Sequence, residues 1–79
     1  MEMFEIYSSG FDTKADCYFA LAVMFNGERC RVRFNAFEPH NFRIDHQSND
    51  LDQATILEIG KQMTKEVFRT HINKGGSNA

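Results

Sequence analysis

The dipeptide Asn26-Gly27 constrains the fold of this chain more than any other feature, because strand-like segments lie on both sides of it. Asn-Gly between two apolar segments is typical of a two-residue hairpin turn of type I′, in which both central residues have positive φ. A two-residue turn also fixes the register of the strands. We therefore expect a hairpin over residues 17–36, with Phe25 opposite Glu28 and Leu21 opposite Val32.

This register predicts two different faces, because successive side chains of a strand point to opposite sides of the sheet. One face is almost wholly apolar and consists of Cys17, Phe19, Leu21, Val23, Cys30, Val32 and Phe34. The opposite face carries three arginines and consists of Tyr18, Ala20, Ala22, Met24, Arg29, Arg31 and Arg33. We expect the apolar face to be buried and the arginine-bearing face to be exposed.

Alternating polar and apolar residues predict further strands on both sides of the hairpin. Residues 2–8 alternate in this way, and after an interruption at residues 8–10 the pattern resumes at Phe11. Residues 41–46 alternate as well, but a loop that places Phe42 and Ile44 beneath a helix explains this pattern equally well. The sequence therefore predicts a sheet of three or four strands.

An amphipathic helix is predicted from Asp50 to Ile72. Asp50 is the expected N-cap residue, and Asn49 is the alternative. At helical spacing, one apolar face forms from Ile56, Ile59, Gly60, Met63 and Val67 and is widened by Leu57 and Phe68. Because glycine is unfavourable inside a helix, Gly60 predicts a close approach of the helix to a bulky Phe of the sheet.

These elements predict an α+β fold, in which a three- or four-stranded antiparallel β-meander is covered on one face by a C-terminal α-helix. A chain of 79 residues accommodates one domain, expected at residues 1–73 and followed by a disordered tail at residues 74–79. The first residues are acidic where a signal peptide is basic, and no apolar segment approaches the roughly 20 residues of a membrane span. A cytoplasmic protein without membrane attachment is the expectation.

The cysteines and histidines form no recognisable catalytic or metal-binding pattern. Cys17 and Cys30 are thirteen residues apart, whereas zinc sites typically contain close pairs of ligands. His40, His46 and His71 are spread over separate segments. A nucleophilic cysteine needs an exposed position beside a base, and both cysteines belong to the predicted core. We expect buried thiols, no metal, no cofactor and no enzymatic activity.

The candidate functional residues are Arg29, Arg31 and Arg33, with Tyr18 and Met24 beside them on the predicted exposed face. Arg, Tyr and Met are enriched at protein interfaces, whereas the net charge of −2 differs from the basic composition of most nucleic-acid-binding domains. The first hypothesis is a small protein-interaction module that regulates or inhibits a larger protein, of the kind found among bacterial and phage accessory proteins.

Three alternatives to this hypothesis stay open. The same arginines could bind nucleic acid, because a sheet backed by a helix is one way to contact DNA, although an analogy of fold is a weak argument. The arginine row could equally be a solvated sheet face with no function, because arginine stems cover sheet surface well. A homodimer could also form through an unpaired edge strand.

Overall fold

The computed structural model describes residues 3–72, which form a four-stranded antiparallel sheet and one C-terminal helix. The strands follow one another across the sheet in chain order. The predicted α+β meander with a helix on one face is therefore confirmed. The elements are β1 (Phe4–Asp12), β2 (Cys17–Met24), β3 (Arg29–Asn35), β4 (Glu38–His46), α1 (Gln53–Val67) and a π-helical segment, Phe68–Ile72, that continues α1.

The fourth strand, which the sequence left undecided, pairs with β3. Ile44 lies opposite Val32 and Arg43 lies opposite Arg33, so the alternating pattern of this segment places its apolar residues on the helix side. The pairing shifts between Arg33 and Asn35, beyond which Asn35 lies opposite Glu38. The tail predicted at residues 74–79 lies outside the described residues.

The turn between β2 and β3 differs from the predicted two-residue turn. The Met24 amide donates to the Glu28 carbonyl (2.7 Å) and the Gly27 amide donates to the Met24 carbonyl (2.8 Å), which leaves a loop of three residues between Met24 and Glu28. Gly27 has φ of 89°, whereas Asn26 is not among the residues with positive φ. Negative φ at Asn26 excludes type I′, and the arrangement is a type I turn followed by a glycine bulge.

This longer loop shifts the register by one residue and thereby exchanges the two faces of β2. Leu21 lies opposite Arg31 and Ala22 lies opposite Cys30, instead of the predicted Val32 and Arg31. Because a shift of one residue exchanges the two faces of a strand, the predicted orientation of β2 is wrong. Its helix-facing residues are Tyr18, Ala20, Ala22 and Met24, and its outward residues are Cys17, Phe19, Leu21 and Val23.

The core lies between the sheet and the predicted apolar face of α1. Ala20 and Ala22 have no exposed surface, and their small side chains let the helix lie close to β2. The buried cluster consists of these alanines together with Met24, Cys30, Val32, Phe34, Ile56, Ile59, Met63 and Val67. The predicted burial of Val32, Phe34 and Val67 is therefore confirmed, although β2 contributes the opposite set of side chains.

Gly60 is buried where α1 approaches β4. A Cβ atom built on Gly60 would overlap the ring of Phe42 in β4. The predicted close approach of the helix to a bulky Phe is confirmed, and the Phe belongs to the strand that the sequence left undecided.

The helix begins two residues later than predicted, with Asp52 and not Asp50 as the N-cap residue. Asp52 Oδ1 accepts a hydrogen bond from the Thr55 amide (2.9 Å), which satisfies one of the free amides of the first helical turn. Asp50 instead accepts a hydrogen bond from Asn26 Nδ2 (3.0 Å), and Asn26 Nδ2 also donates to Ser48 Oγ (3.0 Å). These bonds attach the β2–β3 turn to the segment before the helix.

The two thiols occupy different environments, in contrast to the prediction that both are buried. Both cysteines are free. Cys30 is 5% exposed, and burial raises the pKa of its thiol to about 11. Cys17 is half-buried on the side of the sheet that faces away from the helix, because the register shift moves it there.

Candidate partner-binding face

The side of the sheet that faces away from α1 is the candidate functional surface, and we call it the outer face. Within residues 3–72, the one α-helix packs against the opposite side, so no helix covers the outer face. Strand pairing and alternation assign to it Glu5, Tyr7 and Ser8 of β1, Cys17, Phe19, Leu21 and Val23 of β2, Arg29, Arg31 and Arg33 of β3, and Arg43 and Asp45 of β4.

A stripe of apolar side chains along β2 forms the centre of the outer face. Phe19, Leu21 and Val23 are half-buried, because neighbouring strands flank them and the helix packs on the opposite side of the sheet. The Phe19 ring lies against Gly10 of β1, where an added Cβ atom would be 3.6 Å from the ring. Contiguous exposed apolar surface with a polar border often marks a binding site, so this stripe is the part of the face that a partner would bury.

One carboxylate joins two of the three predicted arginines. Asp45 Oδ2 accepts hydrogen bonds from Arg31 Nη2 (3.0 Å) and Arg33 Nη2 (3.2 Å). The hydrogen bond from Arg31, supported by the positive charge of both arginines, holds the pKa of Asp45 below its usual range. The Arg31 and Arg33 side chains are still 48% and 34% exposed. They are therefore fixed in position by Asp45 and accessible to a partner.

The third predicted arginine, Arg29, lies beside an aromatic ring. Its guanidinium carbon is 5.8 Å from the centre of the Tyr7 ring, which is within the range of a cation–π interaction. Tyr7 lies at a bulge of β1 between Ile6 and Ser8, at which an additional residue is inserted opposite β2. Tyr7, Leu21, Arg29, Arg31 and Asp45 line an open groove of about 630 Å³.

A fourth arginine, which sequence reasoning did not select, extends the positive surface to β4. Arg43 lies directly opposite Arg33, an arrangement of like charges that is unfavourable in an isolated sheet. Among the described residues, Arg43 forms no ion pair. Arg33 and Arg43 line a cleft of about 280 Å³ together with Cys17, Asn35 and Asn41. This cleft is a suitable position for a negatively charged group of a partner.

Tyr18 and Met24, which were predicted to flank the arginines, lie on the other side of the sheet. Met24 is 2% exposed and belongs to the core. The Tyr18 ring stacks on Phe34 with 5.8 Å between ring centres and meets Phe11 edge to face at 4.9 Å. Both residues support the fold beneath the helix, so their predicted place beside the arginines is corrected.

Sequence reasoning missed Phe19 and Leu21 because it assigned the faces of the hairpin from the turn alone, and it missed Arg43 because the segment of β4 was left undecided. One signal was available in β2, where the small residues Ala20 and Ala22 alternate with larger ones. Alanines offer a surface that a helix can approach closely, and this would have placed them beneath α1. Tyr7 was also missed, because the alternating pattern places it on the opposite face from Phe4 and Ile6 but gives no signal that its ring lies beside Arg29, across β2.

Comparisons with known proteins leave the function to be argued from this geometry. No protein-family model, no curated protein and no solved structure matches the chain. Within residues 3–72, no group of three or more His, Cys, Asp or Glu side chains is arranged to hold a metal ion. In the same part of the chain, every helix is too short or too polar to cross a membrane.

Proposed function

We propose that this protein is a small non-enzymatic interaction module that binds a larger protein through its outer face and thereby regulates or inhibits it. The observation that carries the proposal is the uncovered apolar stripe of Phe19, Leu21 and Val23, bordered by arginines and Tyr7. An apolar centre with a polar border enriched in Arg and Tyr is the usual composition of a protein interface.

The charges of the outer face indicate which kind of partner surface would complement it. Arg29 and Arg43 are the two arginines of the outer face that Asp45 does not bind. They lie on β3 and β4 to one side of the stripe. We therefore propose a partner surface with an apolar centre and carboxylates along one border. Because the two thiols are free, as is usual in a reducing compartment, we place this interaction in the cytoplasm.

A nucleic-acid partner is the second candidate, and Tyr7 beside Arg29 is the observation that favours it. An aromatic ring next to a guanidinium group could hold a base of a single strand. Asp45 argues against this candidate, because it neutralises part of the charge on Arg31 and Arg33 and adds a carboxylate where phosphates would approach. The net charge of −2 argues in the same direction.

The test compares two variants that lose the same charge. Arg29→Gln with Arg43→Gln removes the two arginines of the outer face that Asp45 does not bind, and Lys14→Gln with Arg69→Gln removes two exposed cations elsewhere on the surface. We expect a nuclease-treated host lysate to yield one discrete protein with the wild type and the control, and much less of it with the outer-face variant. The purified partner should then bind the wild type and the control with similar affinity, and the outer-face variant more weakly.

A second variant tests the apolar stripe without changing charge. Leu21→Thr keeps a residue that is favourable in strands and removes apolar contact area from the centre of the face. We expect a folded protein that binds the partner more weakly. Equal binding by both variants and the wild type would contradict the proposal. Loss of the captured material upon nuclease treatment, with retention that falls steeply with salt, would favour nucleic acid instead.

A further inference from the structure

The turn between β3 and β4 exposes a large apolar side chain. Phe37 is 92% exposed, which is the greatest exposure of any large apolar residue among those described. The turn is held in shape by a hydrogen bond from the Phe37 amide to Asn35 Oδ1 (2.8 Å). Glu38, the next residue, is exposed as well. The tip of this hairpin therefore carries an exposed aromatic residue followed directly by an exposed carboxylate.

A cavity of about 300 Å³ lies close to this turn, between β4 and the end of the helix. Pro39, Phe42 and Phe68 provide apolar walls for it, and its polar neighbours are Lys61, Lys65, His40 and Thr64. No acidic residue lines the cavity, and neither lysine forms an ion pair within residues 3–72. The cavity is therefore apolar inside and positively charged at its border.

The hairpin tip complements this cavity in both polarity and charge. The Phe37 ring matches the apolar walls, and the Glu38 carboxylate matches Lys61 and Lys65 at the border. Phe37 does not occupy the cavity of its own chain, because its ring is 92% exposed. The tip and the cavity are also neighbours, since Phe37 and Pro39 are two residues apart. A two-fold axis between them would bring each tip to the cavity of the other copy.

We infer that two copies of this chain form a symmetric dimer, in which Phe37 of each copy enters the cavity of the other and Glu38 contacts Lys61 and Lys65. The interaction closes on itself, because both contacts form at once and no free tip or cavity is left to extend a filament. Neither the contact of Phe37 nor that of Glu38 involves the apolar stripe or the arginines of the outer face, so the inference does not rest on the function proposed above.

The expected dimer is weak. An aromatic side chain buries about 150–250 Å², so the two Phe37 rings supply only part of the roughly 1,200–2,000 Å² of a standard interface. The remainder must come from the surfaces around the two turns. A ring in a pocket at the centre of a small interface commonly contributes most of its affinity, and dimer formation should therefore depend strongly on Phe37.

Sedimentation velocity over a roughly hundredfold range of protein concentration tests the inference, because dissociation of a dimer follows mass action. We expect the wild type to shift from monomer to dimer as concentration rises. Phe37→Ser should remain monomeric over this range with an unchanged circular dichroism spectrum, because the side chain is almost fully exposed. The matched control is Phe25→Ser at the opposite end of the sheet, which should dimerise as the wild type does.

A charge exchange tests the pairing of Glu38 with the lysines. Glu38→Lys alone and Lys61→Glu with Lys65→Glu should each weaken the dimer, and the combination of all three substitutions should restore it. A wild type that remains monomeric at every concentration would overturn the inference. Dimerisation of Phe37→Ser at the level of the wild type would also overturn it. So would a triple variant that dimerises no more strongly than Glu38→Lys alone or Lys61→Glu with Lys65→Glu.

Discussion

Arg31 binds Asp45 through two nitrogens of its guanidinium group, with Nη2 at 3.0 Å and Nε at 3.3 Å from Oδ2. The two residues lie directly opposite each other on β3 and β4. A cross-strand ion pair of this kind links the edge strand to its neighbour and holds the guanidinium group in one orientation. The outer face thus contains an arginine whose position is fixed before any partner binds.

The first prediction concerns the titration of Asp45. Because its pKa is lower in the folded chain than in an unfolded one, its ion pairs stabilise the fold above about pH 4, the ordinary pKa of Asp. This contribution is lost as the pH falls through the folded pKa. The hydrogen bond from Arg31 is the largest cause, so Arg31→Gln should raise the pKa of Asp45 more than Arg33→Gln does.

Carboxyl chemical shifts in a pH titration measure this pKa directly. Asp45→Asn should reduce the free energy of unfolding near neutral pH by no more than about 1 kcal/mol, since both side chains are about half exposed. The difference in stability between this variant and the wild type should disappear in acid. An equal pKa of Asp45 in the wild type and in Arg31→Gln would contradict the ion pair.

The second prediction concerns the glycine of the β2–β3 turn. A Cβ atom on Gly27 would meet nothing within 4 Å, so space is available and φ of 89° is the only obstacle. Gly27→Val should therefore cost about 1–3 kcal/mol, because a β-branched residue resists positive φ. Gly27→Asn should cost less, because Asn tolerates this region. Urea denaturation provides the comparison, and equal stability of Gly27→Val and the wild type would contradict the turn conformation.

The predictable part of the fold rests on periodicity, and the wrong orientation of β2 rests on one torsion angle. Alternation in β1 and the helical spacing of Ile56, Ile59 and Met63 were sufficient for a sheet covered by a helix, whereas alternation in β4 left a strand and a loop as alternatives. The orientation of β2 depends on whether Asn26 adopts positive φ. Asn followed by Gly is compatible with both turn types, and the long-range bonds of Asn26 to Ser48 and Asp50 are not visible in local sequence.

The candidate site was predictable on β3 and not on β2 for the same reason. Arg29, Arg31 and Arg33 alternate with the buried Cys30 and Val32, so they face outward whichever turn forms. The neighbours of these arginines change completely with the register, from Tyr18 and Met24 to the apolar stripe of β2. A surface on which mainly small side chains were expected beside the arginines is therefore an apolar stripe with a charged border, and this difference changes the kind of partner that fits it.

The third prediction uses the two thiols to test the register. Cys17 is half-buried on the outer face, whereas Cys30 is buried in the core and burial raises its pKa to about 11. The thiolate is the reactive form, so a mild alkylating reagent at neutral pH should modify Cys17 much faster than Cys30. Mass spectrometry of the folded protein separates the two sites. With the predicted two-residue turn, both thiols would face the helix and react equally slowly.

The last prediction concerns Gly60, at which helix propensity and packing have opposite effects. Alanine is favoured over glycine inside a helix by roughly 1 kcal/mol, so Gly60→Ala would stabilise a helix that has free space beside it. Here the added Cβ atom would overlap the Phe42 ring. The overlap involves three atoms of the ring, so the whole ring must shift away from α1, even though a cavity lies on one side of it, and such overpacking typically costs about 1–3 kcal/mol. We therefore expect Gly60→Ala to lower the free energy of unfolding.

Phe42→Leu, which removes part of the ring volume, should restore some of this loss when combined with Gly60→Ala. A double-mutant cycle of urea denaturation measures the coupling. Additive effects of the two substitutions, or a Gly60→Ala variant more stable than the wild type, would contradict the close contact between helix and sheet.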